Sequence, residues 1–148
     1  MNTVQTTVER LIEHAAIAIF SSIDNDGFPN THALLAPRAH EGLKLFYFTT
    51  NTSSRKTARL ATNPKACLYF YDASRFIGAM LIGTAAVVQD EVSRAKVWRK
   101  GDEQYYSQGI NDPDYAVLKF TAHTLRYYSD LNPRDYRLDT DGSLTPLP

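Results

Sequence analysis

The feature of this sequence that most constrains its fold is a series of short apolar, β-branched and aromatic runs separated by turn residues. Six such runs occupy residues 16–23, 28–37, 43–50, 65–72, 76–89 and 115–129. Asp24-Asn25-Asp26-Gly27 lies between the first two runs and favours a tight hairpin, because Asn, Asp and Gly tolerate left-handed backbone conformations. Runs at this spacing predict antiparallel strands, since a parallel α/β sheet would need more helices.

Helical patterns are few and short. Residues 4–12 place apolar side chains at positions 4, 8, 11 and 12, which is the spacing of one helix face. A second helix is predicted after Ser54 and ends at Asn63-Pro64, because the residue before proline avoids the helical region. A third is predicted within residues 90–100, where acids come first and cations last. The pattern predicts a mainly β fold, a small antiparallel barrel with helices at its ends.

Some segments between these elements have less regular patterns. Residues 38–42 are predicted to be a turn, and the run 115–129 is predicted to start with a short helical or irregular entry. Gly78 and Gly83 interrupt a long strand and indicate a bend, a bulge or the close approach of another group. We expect one domain at residues 1–130, followed by a loosely ordered tail at 131–148, which contains three prolines and repeated Asp.

Composition and charge exclude several classes of function. Sixteen basic and sixteen acidic residues give a net charge of zero, which argues against general nucleic-acid or membrane-surface binding. Cys67 is the single cysteine, so neither a disulfide nor a cysteine-based zinc site can form within the chain, and the histidines lack metal-ligand spacing. No apolar run approaches the roughly 18 residues of a membrane span. We therefore expect a cytoplasmic protein.

One part of the chain departs from this charge balance. Residues 42–71 contain no acid and five cations, Lys44, Arg55, Lys56, Arg59 and Lys65. Arg55 and Lys56 fall in the first turn of the predicted helix, where unpaired N–H groups already present partial positive charge. An anion would reverse this disadvantage, because backbone N–H groups, the hydroxyls of residues 52–54 and the two cations together form a phosphate cradle. The alternative is a solvated basic helix that Ser or Thr merely caps.

The surroundings of this motif narrow the choice of phosphate ligand. No glycine-rich nucleotide fingerprint is present, which argues against a nucleotide bound on an α/β sheet. The strand at 43–50 and the strand at 31–36 would bring main-chain groups beside the cradle. A phosphorylated planar cofactor fits such a site.

Two longer segments carry a family resemblance. FYFTTNTSSRKTARLATNPKACLYFYD, residues 46–72, and FIGAMLIGTAAVV, residues 76–88, resemble the pyridoxamine 5'-phosphate oxidase-like, FMN-binding split-barrel superfamily. Trp98 and the segment 105–115 resemble its general stress protein branch. The resemblance implies a six-stranded antiparallel split β-barrel that forms a homodimer, with FMN at the subunit interface.

The resemblance also implies the residues that bind the cofactor. Ser54, Arg55 and Lys56 would hold the FMN phosphate, Thr49 and Thr50 would lie along the ribityl chain and ring, and His32, Ala33, Leu34 and Leu35 would line the flavin ring. Trp98 is a candidate for packing on the partner's flavin, the alternative being core or dimer-interface packing. The oxidase proper has Arg and Lys at the two ends of the ring-lining strand and Gln near position 78; this chain has His32, Pro37 and Gly78 there. FMN binding tolerates these departures better than vitamin B6 oxidation does.

The sequence therefore favours an FMN-dependent oxidoreductase that acts on an unidentified small molecule, with NAD(P)H as a possible electron donor. No Ser-His-Asp or Cys-His signature supports hydrolysis. The alternatives are a flavin-binding stress or sensor protein without turnover, a barrel of the same fold that binds the deazaflavin F420 or haem, and a dimeric barrel without a ligand.

Overall fold

The structure of the protein is a computed structural model that describes residues 3–148. Three α-helices lie within these residues: α1 (Thr3–His14), α2 (Arg55–Thr62) and α3 (Glu91–Val97). The nine strands are β1 (Ile17–Ile23), β2 (Pro29–Leu35), β3 (Ala39–Glu41), β4 (Leu45–Asn51), β5 (Lys65–Asp72), β6 (Ile77–Val88), β7 (Tyr115–Ser129), β8 (Asn132–Leu138) and β9 (Leu144–Pro146). Two short 3₁₀ turns, Asp102–Gln104 and Gly109–Asn111, lie between α3 and β7.

All nine strands belong to one antiparallel sheet. Its main order is β2-β1-β5-β6-β7-β4-β3, and β8 pairs with β7 and β9 beyond this path. The two end strands of the path, β2 and β3, do not pair with each other, so the sheet is curved but not closed. The prediction of a mainly β, split-barrel architecture with flanking helices is confirmed. All six strands that the sequence predicts are present.

Turn residues and glycines shape the sheet as the sequence indicates. In the β1–β2 hairpin, Asp24 accepts hydrogen bonds from the N–H groups of Asp26 and Phe28, and Gly27 has a φ of 85°. The register between β6 and β7 shifts between Ile82 and Gly83, where a Cβ atom on Gly83 would collide with the backbone of β7. The bulge therefore requires glycine at this position.

The main core fills the inner face of the sheet. Its fully buried side chains come from alternate positions of the strands, as a half-buried sheet requires, and they include Phe20, Phe46, Leu68, Leu81 and Phe120. Val8 of α1 and Leu60 of α2 belong to the same cluster, so these helices cover the inner face. A second, smaller cluster lies outside β4 and β7, beneath α3, and contains Tyr47, Val97, Tyr106, Tyr115 and Val117.

Three sequence predictions about order are wrong. Residues 38–42, predicted to be a turn, include the short strand β3, which pairs with β4. The run 115–129 has no irregular entry, because Tyr115 already pairs with Asn51 and is completely buried. The predicted loose tail forms the hairpin of β8 and β9, whose first strand pairs with the end of β7. The partner strand satisfies the backbone groups of these segments, and composition alone does not show that partner.

Candidate functional site

The junction between β4 and α2 exposes the start of a helix that has no acid in its first turn. Ser54 caps α2 with an extended backbone, φ −72° and ψ 151°, and Arg55 is the first helical residue. The Ser54 N–H donates to Asn51 O at 3.2 Å, and the Thr57 N–H donates to Ser54 O at 3.2 Å. The first N–H groups of an α-helix have no acceptor within the helix. This end of α2 therefore presents hydrogen-bond donors and partial positive charge.

A cleft of about 320 Å³ lies between β2 and this end of α2. The residues that line it are Asn30, Thr31, His32, Ser54, Arg55, Lys56 and Arg59. The hairpin of β1 and β2 thus brings His32 beside the cationic helix start, although the two segments are distant in sequence. His32 also packs edge-on against the core residue Phe20, with ring centroids 5.7 Å apart. Four of the ten site residues that the sequence predicts therefore share one cleft.

The three cations that line the cleft, two arginines and a lysine, form no ion pair among residues 3–148. One carboxylate lies at the margin of the cleft: Asp24 accepts a hydrogen bond from the cleft residue Asn30 at 2.9 Å, which lowers the Asp24 pKa, and the charge of Arg59 lowers that pKa further. Burial lowers the pKa of the half-buried Lys56. The pKa of His32 is also lowered, first by burial and then by the charges of Lys56 and Arg59. The shifts of Lys56 and His32 both disfavour protonation, and an anion in the cleft would oppose them.

The hydroxyl groups of the preceding turn do not all face a ligand, which corrects the phosphate cradle that the sequence predicts. Thr52 Oγ1 donates to Asp114 Oδ1 at 2.8 Å, and Ser53 Oγ donates to Asp114 Oδ2 at 3.2 Å. Ser54 Oγ lies 3.0 Å from Thr57 Oγ1, which itself donates to Asn51 O at 2.9 Å. The hydroxyl protons of Thr52 and Ser53 are therefore committed to Asp114. The helix N–H groups and the cations are the donors that remain for an anion.

The remaining strand residues of the predicted site lie near the cleft but do not line it. Thr50 is 5% exposed, and its Oγ1 has no hydrogen-bond partner among the described residues. Thr49 is half-buried on the opposite face of β4. In β2, Leu34 packs against the core, whereas Ala33 and Leu35 are exposed on the outer face. A buried hydroxyl without a partner is costly, and Thr50 has one such hydroxyl near the end of β4, four residues before Ser54.

Trp98 lies away from the cleft within this chain. It caps the end of α3 and packs on Tyr106 and Tyr115, at ring-centroid distances of 6.1 and 5.0 Å. These contacts make Trp98 part of the smaller hydrophobic cluster. A contact between Trp98 and a flavin held by a second copy stays a prediction.

Sequence reasoning missed several residues that shape the site. Arg59 lines the cleft because it follows Arg55 by four residues and so shares its helix face. Asn30 and Thr31 line the cleft as neighbours of His32. Asp114 binds the turn before α2 from a position far along the chain. Arg59 belongs to the basic, acid-free segment that the sequence shows, but the resemblance does not assign it to the cofactor, and no local signal points to Asp114.

Comparison with known families now identifies the class of protein. Residues 4–129 match the pyridoxamine 5'-phosphate oxidase family, and the chain belongs to this family. A comparison with curated proteins gives no significant match. None of the helices within residues 3–148 is long and apolar enough to cross a membrane.

Solved structures place the chain more narrowly within the family. It is 39% identical to a protein from Clostridium acetobutylicum related to general stress protein 26, with a TM-score of 0.81 over 91% of this chain and 94% of that one. General stress protein 26 from Bacillus anthracis is 18% identical, with a TM-score of 0.72 over 99% and 100%. A pyridoxamine 5'-phosphate oxidase-related, FMN-binding protein from Nostoc punctiforme is 11% identical, with a TM-score of 0.78 over 99% and 96%. The last two likenesses support the fold.

Proposed function

We propose that this protein binds FMN and that Ser54, Arg55 and Lys56 hold the FMN phosphate, with Ser54 Oγ exchanging its 3.0 Å contact with Thr57 Oγ1 for a contact with a phosphate oxygen. The observation that carries the proposal is the positive charge of the cleft, which no carboxylate among residues 3–148 compensates through an ion pair. A phosphate dianion in the cleft would accept hydrogen bonds from helix N–H groups and would pair with the cations. Arg59 adds a further cation on the same helix face. These groups match the chemistry of a phosphate ester.

The other predicted site residues have roles that follow from their positions. Thr49 and Thr50 lie just before the turn that leads to the helix, and in this proposal they contact the ribityl chain, as the family resemblance implies. In the same proposal, His32 and the backbone of β2, an end strand of the sheet, contact the ring. Burial and the nearby cations favour the neutral form of His32, which can donate one hydrogen bond and accept another. Bound FMN would supply hydride and electron transfer, so the activity we propose is oxidoreduction of an unidentified small molecule.

We also propose that the protein works as a homodimer. At β1, β5 and β6 the inner face of the sheet packs against the core, and the outer face is apolar as well. Ile19 pairs with Tyr69, and Tyr69 pairs with Met80, so these side chains form one row on the outer face. Ile17 is 42% exposed and Tyr71 is 52% exposed. A sheet that is apolar on both faces is expected to be covered on both.

The cleft suits only part of an FMN molecule, which supports the proposal that a second copy of the chain completes the site. About 320 Å³ lies at the lower end of the range for small-molecule pockets. The cleft is polar, so it suits the phosphate and ribityl parts of FMN better than the flavin ring. A second copy would cover the ring, and Trp98 of that copy is the predicted contact.

An absorption spectrum and an FMN titration test the proposal. The purified protein should absorb at about 450 nm, as an oxidised flavin does, or it should bind added FMN with saturation. Replacing Arg55 and Lys56 together with Ala should abolish FMN retention and leave the circular dichroism spectrum unchanged. Lys100→Ala is the matched control, because Lys100 is exposed and lies outside the cleft. A colourless wild-type protein that gains no thermal stability from FMN refutes the proposal.

The same preparation separates the alternative functions. Steady oxidation of NAD(P)H by the flavin-loaded protein supports an oxidoreductase, whereas bound FMN without turnover supports a flavin-binding stress or sensor protein. An absorption maximum characteristic of haem or of a deazaflavin would replace FMN with that ligand while leaving the barrel unchanged. Cytoplasmic location stays a prediction.

A further inference from the structure

The loop before β7 binds the turn that precedes the cationic helix. Asp114 makes four hydrogen bonds to this turn. Its Oδ1 accepts from Thr52 Oγ1 at 2.8 Å and from the Ser53 N–H at 3.0 Å, its Oδ2 accepts from Ser53 Oγ at 3.2 Å, and its main-chain O accepts from the Thr52 N–H at 3.0 Å. One residue therefore takes up every side-chain and main-chain donor of Thr52 and Ser53. Its hydrogen bonds to these donors lower the pKa of the Asp114 carboxyl, so it is ionised near neutral pH.

Asp114 is itself held rigidly. Asp112 is 8% exposed, and its Oδ1 accepts from the Asp114 N–H at 2.9 Å. Gln89 Nε2 donates to Pro113 O at 2.9 Å. Tyr115, the next residue, is completely buried in β7. Hydrogen-bonded or buried neighbours on both sides of Asp114 therefore hold it against the turn at residues 52–53.

A tyrosine from the same loop region binds the end of β4. The hydroxyl of Tyr106 lies 2.6 Å from Asn51 Oδ1 and 3.0 Å from Thr50 O and shares its single proton between these acceptors. The ring of Tyr106 is buried against Tyr115 at a centroid distance of 4.9 Å. Residues 50–53 are thus held at both ends by the segment between α3 and β7. Ser54 and the cationic start of α2 follow directly.

We propose that Asp114 is a positioning residue that sets the orientation of the phosphate-binding helix start, an inference that rests on the proposed FMN site. Its carboxylate fixes the two residues before the Ser54 cap, so the first N–H groups of α2 and the side chains of Arg55 and Lys56 keep their places in the cleft. Because the same contacts occupy the donors of Thr52 and Ser53, a bound anion would contact the N–H groups and cations at the start of α2 instead. Pre-organised donors bind an anion more tightly because less ordering is needed on binding.

The comparison of FMN with riboflavin tests this role, because riboflavin has the same ring and ribityl chain without the phosphate. In Asp114→Ala the Kd for FMN should rise about tenfold or more, as expected for the loss of charge-assisted hydrogen bonds that orient the site. The Kd for riboflavin should stay within about twofold of the wild type. Asp139→Ala is the matched control, because Asp139 also accepts several side-chain hydrogen bonds but lies in the β8–β9 turn. It should change neither constant.

A second variant decides the result if Asp114→Ala does not fold. Thr52→Val removes a single donor to Asp114 and should raise the Kd for FMN about threefold, again with little change for riboflavin. Equal weakening of FMN and riboflavin, or unchanged FMN affinity, overturns the positioning role. A wild-type protein that binds neither flavin overturns the proposed function, and this inference fails with it. A wild-type protein that binds FMN, with a variant that keeps the FMN-to-riboflavin ratio, overturns the positioning role alone.

Discussion

The position of Lys56 predicts opposite effects of one substitution on stability and on cofactor binding. Lys56 is half-buried in the first turn of α2, and burial lowers its pKa without an ion pair among the described residues to compensate. Lys56→Met keeps the apolar length of the side chain and removes the charge. The apoprotein should become more stable, because a cation beside the N-terminus of a helix is unfavourable. Affinity for FMN should fall.

The expected changes in stability and in FMN affinity follow from the position of the Lys56 charge, in the first turn of α2 and in the cleft. Removing an unfavourable charge from a first helical turn contributes about 0.5 kcal/mol. For a chain of this length that raises the melting temperature by about 1–2 °C. Loss of one charge-assisted contact with the phosphate costs about 2 kcal/mol, which corresponds to a roughly 30-fold rise in Kd. The stability gain and the binding loss therefore differ in sign and are measured separately.

Differential scanning fluorimetry with and without FMN measures both quantities. The wild type should show an FMN-dependent increase in melting temperature, because a ligand stabilises the state that binds it. Lys56→Met should begin at a higher temperature and gain less from the same FMN concentration. Lys100→Met is the control, since Lys100 is exposed and outside the cleft. A variant that is less stable than the wild type, or that keeps full FMN stabilisation, refutes the reasoning.

Three further predictions concern the pH dependence of stability through His32, the packing around two glycines of β6, and the ion pair between Asp102 and Arg38. Because the pKa of His32 is lowered from 6.5, the unfolded chain takes up a proton before the folded chain does, so stability should decrease as pH falls below about 6.5 and level off below the folded-state pKa. In His32→Gln, urea unfolding between pH 8 and 5.5 should show a smaller decrease. Gly83→Ala should cost about 3 kcal/mol and more than Gly78→Ala, because the first Cβ meets backbone and the second meets the movable end of a tyrosine. Asp102→Ala should cost about 3 kcal/mol in the same assay, because it leaves the guanidinium of Arg38, whose side chain is only 16% exposed, without its two 3.0 Å contacts.

Each of these predictions can fail in a defined way. An unchanged pH slope in His32→Gln would show that other groups cause the slope. Similar costs for the two glycine variants would contradict the steric difference between backbone and side-chain neighbours. A cost below about 1 kcal/mol for Asp102→Ala would show that the pair with Arg38 contributes no more than an exposed ion pair.

The sequence predicts those strands that can be recognised from their own residues. Apolar and β-branched runs bounded by turn residues define β1, β4, β5 and β6 within a few residues, because each buries one face against the core, whereas β2 has no fully buried residue and is indicated by the hairpin turn before it. The short strand β3 and the β8–β9 hairpin were missed. Pro133 pairs opposite Tyr128 near the start of β8, where a missing N–H is tolerated. Such segments are ordered by a neighbouring strand, and their composition resembles that of a loop.

Some residues of the candidate site can likewise be predicted from the sequence, and others cannot. The unfavourable charges at the start of α2 identified Ser54, Arg55 and Lys56 from sequence alone, and the family resemblance added His32, which lines the same cleft. No local pattern marks Asp114 as a site residue, although its carboxylate binds the turn before α2. Contacts between residues so distant in sequence depend on the pairing of β4 with β7, and a single sequence does not show that pairing.

The link between Asp114 and the turn before α2 also has a consequence for the order in which the chain can fold. Ser53 and Asp114 are 61 residues apart, and closing so long a loop is slow compared with forming a hairpin such as β1–β2. On the ribosome, the turn before α2 emerges well before the strand that immobilises it. Until β7 has been synthesised and has paired with β4, the cationic helix start lacks its partner. Cofactor capture should therefore be among the last events in the maturation of each chain.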